Sequence, residues 1–246
     1  MIFMDAHEAI INPIMGKKPS QLGKRCVMVA NPPDFDYLHR LLRTHESKSQ
    51  RLLMSRLNYG YENNSISLIG PFIGAPYAVI LMESLSVWGI REVLFLGWCG
   101  AISDNVRIGD VLIPDKAFID DGTSNNYTLA HCSETFPSAI LQATIKSAVT
   151  KNNIRFHEGP VWSTDAIYRE TKEKVACFQK KNALAVEMEA ASLFSAGNFR
   201  KIDVGCILVV SDEVSSMKWK PGFKNPVFKK RRHQVCELIG NFWNVE

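Results

Sequence analysis

Leu184-Ala185-Val186-Glu187-Met188-Glu189-Ala190-Ala191-Ser192-Leu193-Phe194 is the stretch on which the reading of this chain turns. Its apolar start reads as a short buried strand, and the small residues after it as a helix. Two glutamates stand at the junction. An unpaired carboxylate is costly to bury, so Glu-x-Glu at the end of a core strand needs a reason. At a helix N-terminus, free backbone N–H groups and the helix dipole hold a carboxylate ionised, and an ionised carboxylate can accept two hydroxyl donors side by side. That equipment suits a vicinal diol such as the 2′ and 3′ hydroxyls of a ribose. The plainer reading is a first-turn glutamate that stabilises the helix and faces water.

Around this stretch lie 246 residues, 46% hydrophobic and 22% charged, as in an ordinary globular protein. The expectation is one α/β domain over residues 1–246, with residues 1–24 as an irregular N-terminal arm broken by Pro13 and Pro19. No apolar run approaches the ~18 residues of a membrane span. Met1-Ile2-Phe3-Met4-Asp5 lacks the basic start and apolar core of a signal peptide, so a cytoplasmic location is expected. The six cysteines (Cys26, Cys99, Cys132, Cys177, Cys206 and Cys236) are scattered, with no C-x-x-C pair. They read as free thiols in a reducing compartment, not as a disulfide frame or a metal site. Net charge is only +4, with the basic residues gathered late: Lys218, Lys220, Lys224, then Lys229-Lys230-Arg231-Arg232-His233. Without interleaved aromatics this reads as the solvated face of a C-terminal helix, so neither nucleic acid nor membrane is expected as a partner.

Apolar patterning predicts strands at 26–30, 50–58, 64–70, 92–96, 110–114, from 159 to 163, and at 204–211. It predicts helices at 35–43, 75–87, 138–151 (with Ile140, Leu141, Ile145, Ala148 and Val149 inward), 171–181 and 228–242. The polar stretch 120–137 is too long for a simple connection and reads as a candidate binding loop. Strands alternating with helices imply a mixed, mostly parallel, twisted central sheet flanked by helices. Sites in such sheets gather at the strands' carboxyl ends, where Gly97, Ser163, Glu189 and Asp212 fall.

Five segments in sequence order carry a resemblance to a known family. Val186-Glu187-Met188-Glu189-Ala190 resembles the V-E-M-E-A signature of the nucleoside phosphorylase superfamily, the branch that holds purine and uridine phosphorylases and methylthioadenosine nucleosidase. Leu96-Gly97-Trp98-Cys99-Gly100-Ala101 resembles its G-x-x-G turn, and Ile108-Gly109-Asp110-Val111-Leu112-Ile113-Pro114 its V-G-D-V-V strand. Ser163-Thr164-Asp165-Ala166-Ile167-Tyr168 resembles the base-site loop, and Val210-Ser211-Asp212 the late S-D pair. The resemblance spans nearly the whole chain. It implies an enzyme that cleaves the N-glycosidic bond of a nucleoside, needs no cofactor or metal, and works as a homo-oligomer, dimer or hexamer.

It also implies roles. Glu189 would hold the ribose hydroxyls and Met188 would lie under the sugar, with plain core packing as the alternative for Met188. Asp212 would donate a proton to purine N7, and burial would raise its pKa toward that task; an Asx-type cap is the alternative. Tyr168 would stack on the base, and Ile167 stands where relatives carry phenylalanine. His7 would reach a neighbouring subunit's ribose 5′ position, or is a surface histidine. Uridine-specific relatives lack the S-D pair, and their uracil-reading glutamine and arginine would fall near Thr171 and Glu173; a purine-type base is therefore favoured.

The nucleophile end departs from the family. The turn that carries a phosphate-binding glycine and arginine reads Val29-Ala30-Asn31-Pro32-Pro33-Asp34. A second phosphate arginine is replaced by Phe95, and the serine or threonine of the G-x-x-G turn by Trp98. Losing two guanidiniums removes the main donors to a dianion, and an aspartate would repel it. Arg51 or Arg56, given by a neighbouring subunit, could stand in. In the nucleosidase branch the Asp34 position holds a glutamate that activates water; the alternative for Asp34 is a helix N-cap. Water is the expected nucleophile, with phosphorolysis through a rebuilt phosphate site, or nucleoside binding without catalysis, as the alternatives.

Overall fold

A computed structural model describes residues 9–13, 18–19, 22–61, 66–128 and 132–242. His7 lies outside the described residues. The described part of the N-terminal arm contains neither helix nor strand before residue 25.

The first apolar run forms β1 (Arg25–Val29), and the chain then enters α1 (Pro32–Leu42), whose prolines occupy the first helical positions. There the missing N–H costs nothing and the fixed φ favours the helix. The expected single strand at 50–58 is instead a hairpin, β2 (Lys48–Leu52) and β3 (Ser55–Tyr59), turning through Leu53 at φ 55°. Apolar patterning runs through both arms, and no Gly or Pro marks the turn. Next come β4 (Ile66–Gly70), α2 (Ala75–Val87) and β5 (Glu92–Ala101). The Gly97-to-Ala101 segment, expected as a turn, continues β5. Then follow β6 (Val111–Asp120), β7 (Glu134–Thr135), α3 (Ala139–Lys151), β8 (Phe156–Thr164) and α4 (Lys172–Lys180). The chain closes with β9 (Ala185–Glu187), α5 (Ala190–Arg200), β10 (Asp203–Glu213), β11 (Lys220–Pro221) and α6 (Pro226–Gly240).

The sheet is mixed, and its longest pairings are parallel: β5 with β10, β6 with β8, and β1 with both β4 and β5. The mixed central sheet expected is present, and it closes on itself. β10 pairs with β5 on one side and antiparallel with β6 on the other, so β10, β6, β8, β9 and β5 close into a ring, with β1, β4, β3 and β2 extending from it. Closure removes edges that would otherwise be left unpaired.

Helices cover the sheet on separate fronts. α2 and α5 bury Ala78, Met82, Leu85, Leu193 and Phe194 against one front. α1, α3 and α6 bury Phe35, Leu38, Leu141, Ile145, Val235 and Ile239 against another. α4 covers a smaller cluster in which Phe178 stacks on Trp162 at 4.5 Å. Ile140, expected inward, is 77% exposed, because α3 turns Leu141, Ile145 and Val149 to the sheet. The polar stretch 120–137 holds a short 3-10 turn and β7, and none of its described residues lines the cavity described below. The basic run at the end is solvated except for Arg232, which is buried. No helix among the described residues is long and apolar enough to cross a membrane.

Candidate active site

The carboxyl ends of β1, β5, β9 and β10 open into a cavity of about 830 Å³. Met188, Glu189, Asp212, Ile167 and Tyr168 line it, as do Ala30 and Trp98. Ser163, Gly97, Asp34, Arg51 and Arg56 do not, although the first two stand immediately behind the lining.

The two glutamates at the β9–α5 junction divide the work expected of one. Glu187 takes the helix N-terminus: its Oε2 accepts the N–H of Glu189 at 2.8 Å and of Ala190 at 2.7 Å. Its Oε1 accepts the Ser163 hydroxyl, and the Ser163 oxygen accepts the Ala191 N–H at 2.9 Å. Ser163 thus secures the junction. Glu189, freed from capping, turns into the cavity, and its Oε1 accepts the Gly74 N–H at 2.6 Å. Gly74 presents that N–H from a backbone at φ 82°, which glycine adopts at least cost.

Glu189 was expected to be held ionised. Burial and the neighbouring Glu187 charge instead push its pKa up. Burial pushes Glu187 the same way, against three donors that favour its charge. With more donors, Glu187 is the better holder of the negative charge and Glu189 the better holder of a proton. Two hydroxyl donors arriving at Glu189 would favour ionisation.

Asp212 reaches the cavity through a bulge. The β10–β5 register runs Val210 opposite Cys99 and then Asp212 opposite Gly100, leaving Ser211 as the extra residue. Bulges re-aim side chains beside functional sites. A Cβ on Gly100 would come within 3.2 Å of Asp212 Oδ2, so the bare glycine leaves the carboxyl its place. Asp212 Oδ1 accepts the Ser211 hydroxyl at 2.6 Å and Oδ2 the Trp219 indole N–H at 2.8 Å. Burial raises its pKa while these two bonds pull it down.

Motif reasoning missed Glu170, Glu187, Trp219 and Asn31, all of which line the cavity. Glu170, just past the Ile167–Arg169 turn, has a carboxyl with no hydrogen-bond donor among the described residues, and burial with the Asp212 charge pushes it up to about 7. Asn31 keeps a buried side-chain oxygen without a partner. Tyr168 is 97% exposed, a rim residue and not an enclosed wall.

The floor departs furthest from expectation. Asp34 is 1% exposed and is neither an N-cap nor turned into the cavity. Its Oδ1 accepts the Arg232 guanidinium at 2.7 Å and its Oδ2 the Trp98 indole N–H at 2.6 Å. The Arg232 guanidinium lies 4.7 Å from the Trp98 ring centre, and Phe228 packs edge-on against that ring at 5.0 Å. Outside the lining and held by a buried guanidinium, Asp34 is not placed to activate water. Phe95, at the other expected phosphate position, is core and packs on Phe72. Arg51 and Arg56 bond Leu53 and Asp36 away from the cavity. The lining therefore holds four carboxyl groups (Glu170, Glu187, Glu189 and Asp212) and no Lys, Arg or His among the described residues. The described residues also hold no cluster of potential metal ligands.

Known proteins show the same frame. A guanosine phosphorylase from Halorubrum lacusprofundi is 29% identical over 184 residues, 75% of this chain and 76% of the relative. A DeoD-type purine nucleoside phosphorylase from Dichelobacter nodosus is 29% identical over 72% of this chain and 75% of its own. Among solved structures, uridine phosphorylase from Vibrio fischeri superposes with a TM-score of 0.79 at 20% identity, covering 92% of this chain and 94% of that one. A Helicobacter pylori MTAN mutant with 5′-methylthioadenosine in its active site gives 0.74 at 18%, covering 90% and 98%. Those two likenesses bear on the fold. The family model described as "Phosphorylase superfamily" matches residues 24–237, and the chain is an enzyme of that superfamily.

Proposed function

We propose that this enzyme hydrolyses the N-glycosidic bond of a purine-type nucleoside, with water in the place that phosphate takes in phosphorolysis. The observation that carries this reading is the cavity lining, four carboxyl groups with no cationic side chain. A phosphate dianion entering that space would meet like charge and no guanidinium, whereas water meets no such barrier. The Arg232 guanidinium, which lies against the lining Trp98, is already neutralised by Asp34.

Glu189 takes the ribose hydroxyls and Met188 lies against the sugar's apolar face. Asp212 gives its proton to the base as the C–N bond breaks, which relieves the negative charge on the leaving group. Water adds to the anomeric carbon, the base leaves carrying the Asp212 proton, and the water's second proton returns to the carboxylates or solvent. Ile167 and Tyr168 border the base at the rim. The two S-D residues favour a purine over a pyrimidine, and Thr171, where uracil-reading residues would fall, is spent as the cap of α4. We also propose a homo-oligomer in the cytoplasm, where free thiols stay reduced.

Base release from a panel of purine and pyrimidine nucleosides, with and without phosphate, tests this. Purine release that ignores phosphate and yields free sugar is expected; sugar 1-phosphate would overturn it and point to an arginine from a neighbouring subunit. Asp212→Asn should lower purine release by about 10²–10⁴-fold and spare a nitrophenyl riboside, whose leaving group needs no proton.

A further inference from the structure

Trp219 occupies an odd position. It is 64% exposed, yet its indole N–H points inward to Asp212 Oδ2 at 2.8 Å. A large apolar ring left in solvent gains little from burial, so that polar contact is the main thing its placement secures.

The placement is built, not incidental. β10 and β11 form a hairpin in which Asp212 faces Pro221 and Glu213 faces Lys220. The turn is closed by the Met217 N–H to the Val214 carbonyl at 2.9 Å, with Met217 at φ 60°, and Val214 is tied to Ala101 at 2.9 Å. Phe223 supports the ring at 6.3 Å and itself packs on Trp98.

We propose that Trp219 is a positioning residue for Asp212: its indole N–H holds the carboxyl edge-on to the base end of the cavity and stabilises the charge left there when the proton departs. This rests on Asp212 as the proton donor. A hydrogen bond to a carboxyl strengthens as the carboxyl becomes charged, so it favours the transition state over the ground state. Burial alone would make Asp212 a holder of its proton; the Trp219 and Ser211 bonds make it a donor. The groups facing Asp212 are Cys99 from β5, Glu187 from β9, Glu189 and Glu170, with Glu213 paired to Lys220 on its own hairpin. None of these donates a bond to Asp212, which leaves Trp219 and Ser211 as the described side chains that do.

The test is Trp219→Phe, which keeps an aromatic ring on Phe223 and removes the donor. The alkaline limb of the kcat/KM profile for a purine nucleoside should move to higher pH, because losing the bond weakens the acid. The plateau should fall about 10-fold, while nitrophenyl riboside cleavage holds. An indole ¹⁵N–¹H spectrum supplies a readout that does not depend on turnover. The resonance missing in Trp219→Phe should follow pH in the wild type and be flat in Asp212→Asn. An indole signal indifferent to Asp212→Asn, or an unmoved limb with an unchanged substrate ratio, overturns the proposal. If Asp212→Asn slows both substrates alike while the indole still titrates, the assignment of Asp212 as acid is what fails, and the catalytic part of this proposal goes with it.

Discussion

At one end of the cavity, Met188 and Glu189, just past β9, and Asp212, near the end of β10, line open space. At the floor, Asp34, Trp98 and Arg232 turn their polar atoms on one another. Both ends are built from charged and aromatic residues at strand ends or helix starts, but they differ in satisfaction. Asp34 has a side-chain partner for each oxygen, whereas Glu189 has backbone donors alone and the Glu170 carboxyl none. A buried polar group that is fully paired within the protein serves the fold. One left short, at a cost the rest of the chain must carry, is available for a ligand. Asp34, Trp98 and Arg232 are thereby a piece of internal structure.

The strongest way to break this contrast is to remove one side of the floor pair. Arg232→Met should leave the Asp34 carboxylate buried with the Trp98 N–H and the weak Cys236 S–H but no counter-charge. Losing one partner of a buried ion pair costs about 3–5 kcal/mol. For a chain of this size that corresponds to a fall in Tm of roughly 10 °C or more, read by calorimetry. What protein remains folded should still release purine base. If activity per folded molecule vanished while Tm held, the floor would belong to the chemistry and the contrast would fail.

The opposite variant sharpens it. Glu189→Gln keeps the shape and the capacity to accept the Gly74 N–H but loses the charge that strengthens both hydroxyl bonds. Roughly a 100-fold loss in kcat/KM is expected, since hydrogen bonds to charged groups are worth about 1.5–3 kcal/mol. Stability should hold or rise, because a buried ionisable group is replaced by a neutral one. Near-normal turnover would leave Glu189 as a structural residue beside Glu187.

Much of this frame can be read from the residues. The bounds of α2 fall where the apolar spacing puts them, and V-E-M-E-A and S-D land on strand ends facing one cavity. Ring closure cannot be read, because β10 is one apolar run whether it pairs on one side or two. Nor can the floor. Asp34 and Arg232 are 198 residues apart, and Arg232 sits in a run of five basic residues that looks uniformly solvated. The division of labour between Glu187 and Glu189 depends on which of them faces Ser163, a fact of strand register. Trp219 and Glu170 belong to none of the quoted motifs, and only the hairpin and the turn after β8 bring them in.

The smallest expected effect concerns pH and the empty enzyme. Burial raises the pKa of Glu170 to about 7 and lifts Glu187 and Glu189 as well, above the ordinary range of about 4.3 for a free glutamate. A carboxyl raised on folding binds its proton more tightly in the native state than in the unfolded chain. Its contribution is therefore fully present below the unfolded value and lost as pH rises through the folded one. Stability should decline from about pH 5 toward pH 8, by up to about 1.4 kcal/mol per pH unit for each such group. Thermal melts across that range should show Tm falling by several degrees as pH rises, in the absence of nucleoside. Glu189→Gln removes one of the groups at the sugar end and should flatten the slope, while Asp36→Asn, at an exposed pair with Arg56, should leave it alone. A nucleoside whose hydroxyls satisfy Glu189 should flatten the wild-type slope in the same way. Equal slopes in wild type and Glu189→Gln, with and without nucleoside, would mean that the sugar end is as well satisfied as the floor, and the distinction between the two ends would not stand.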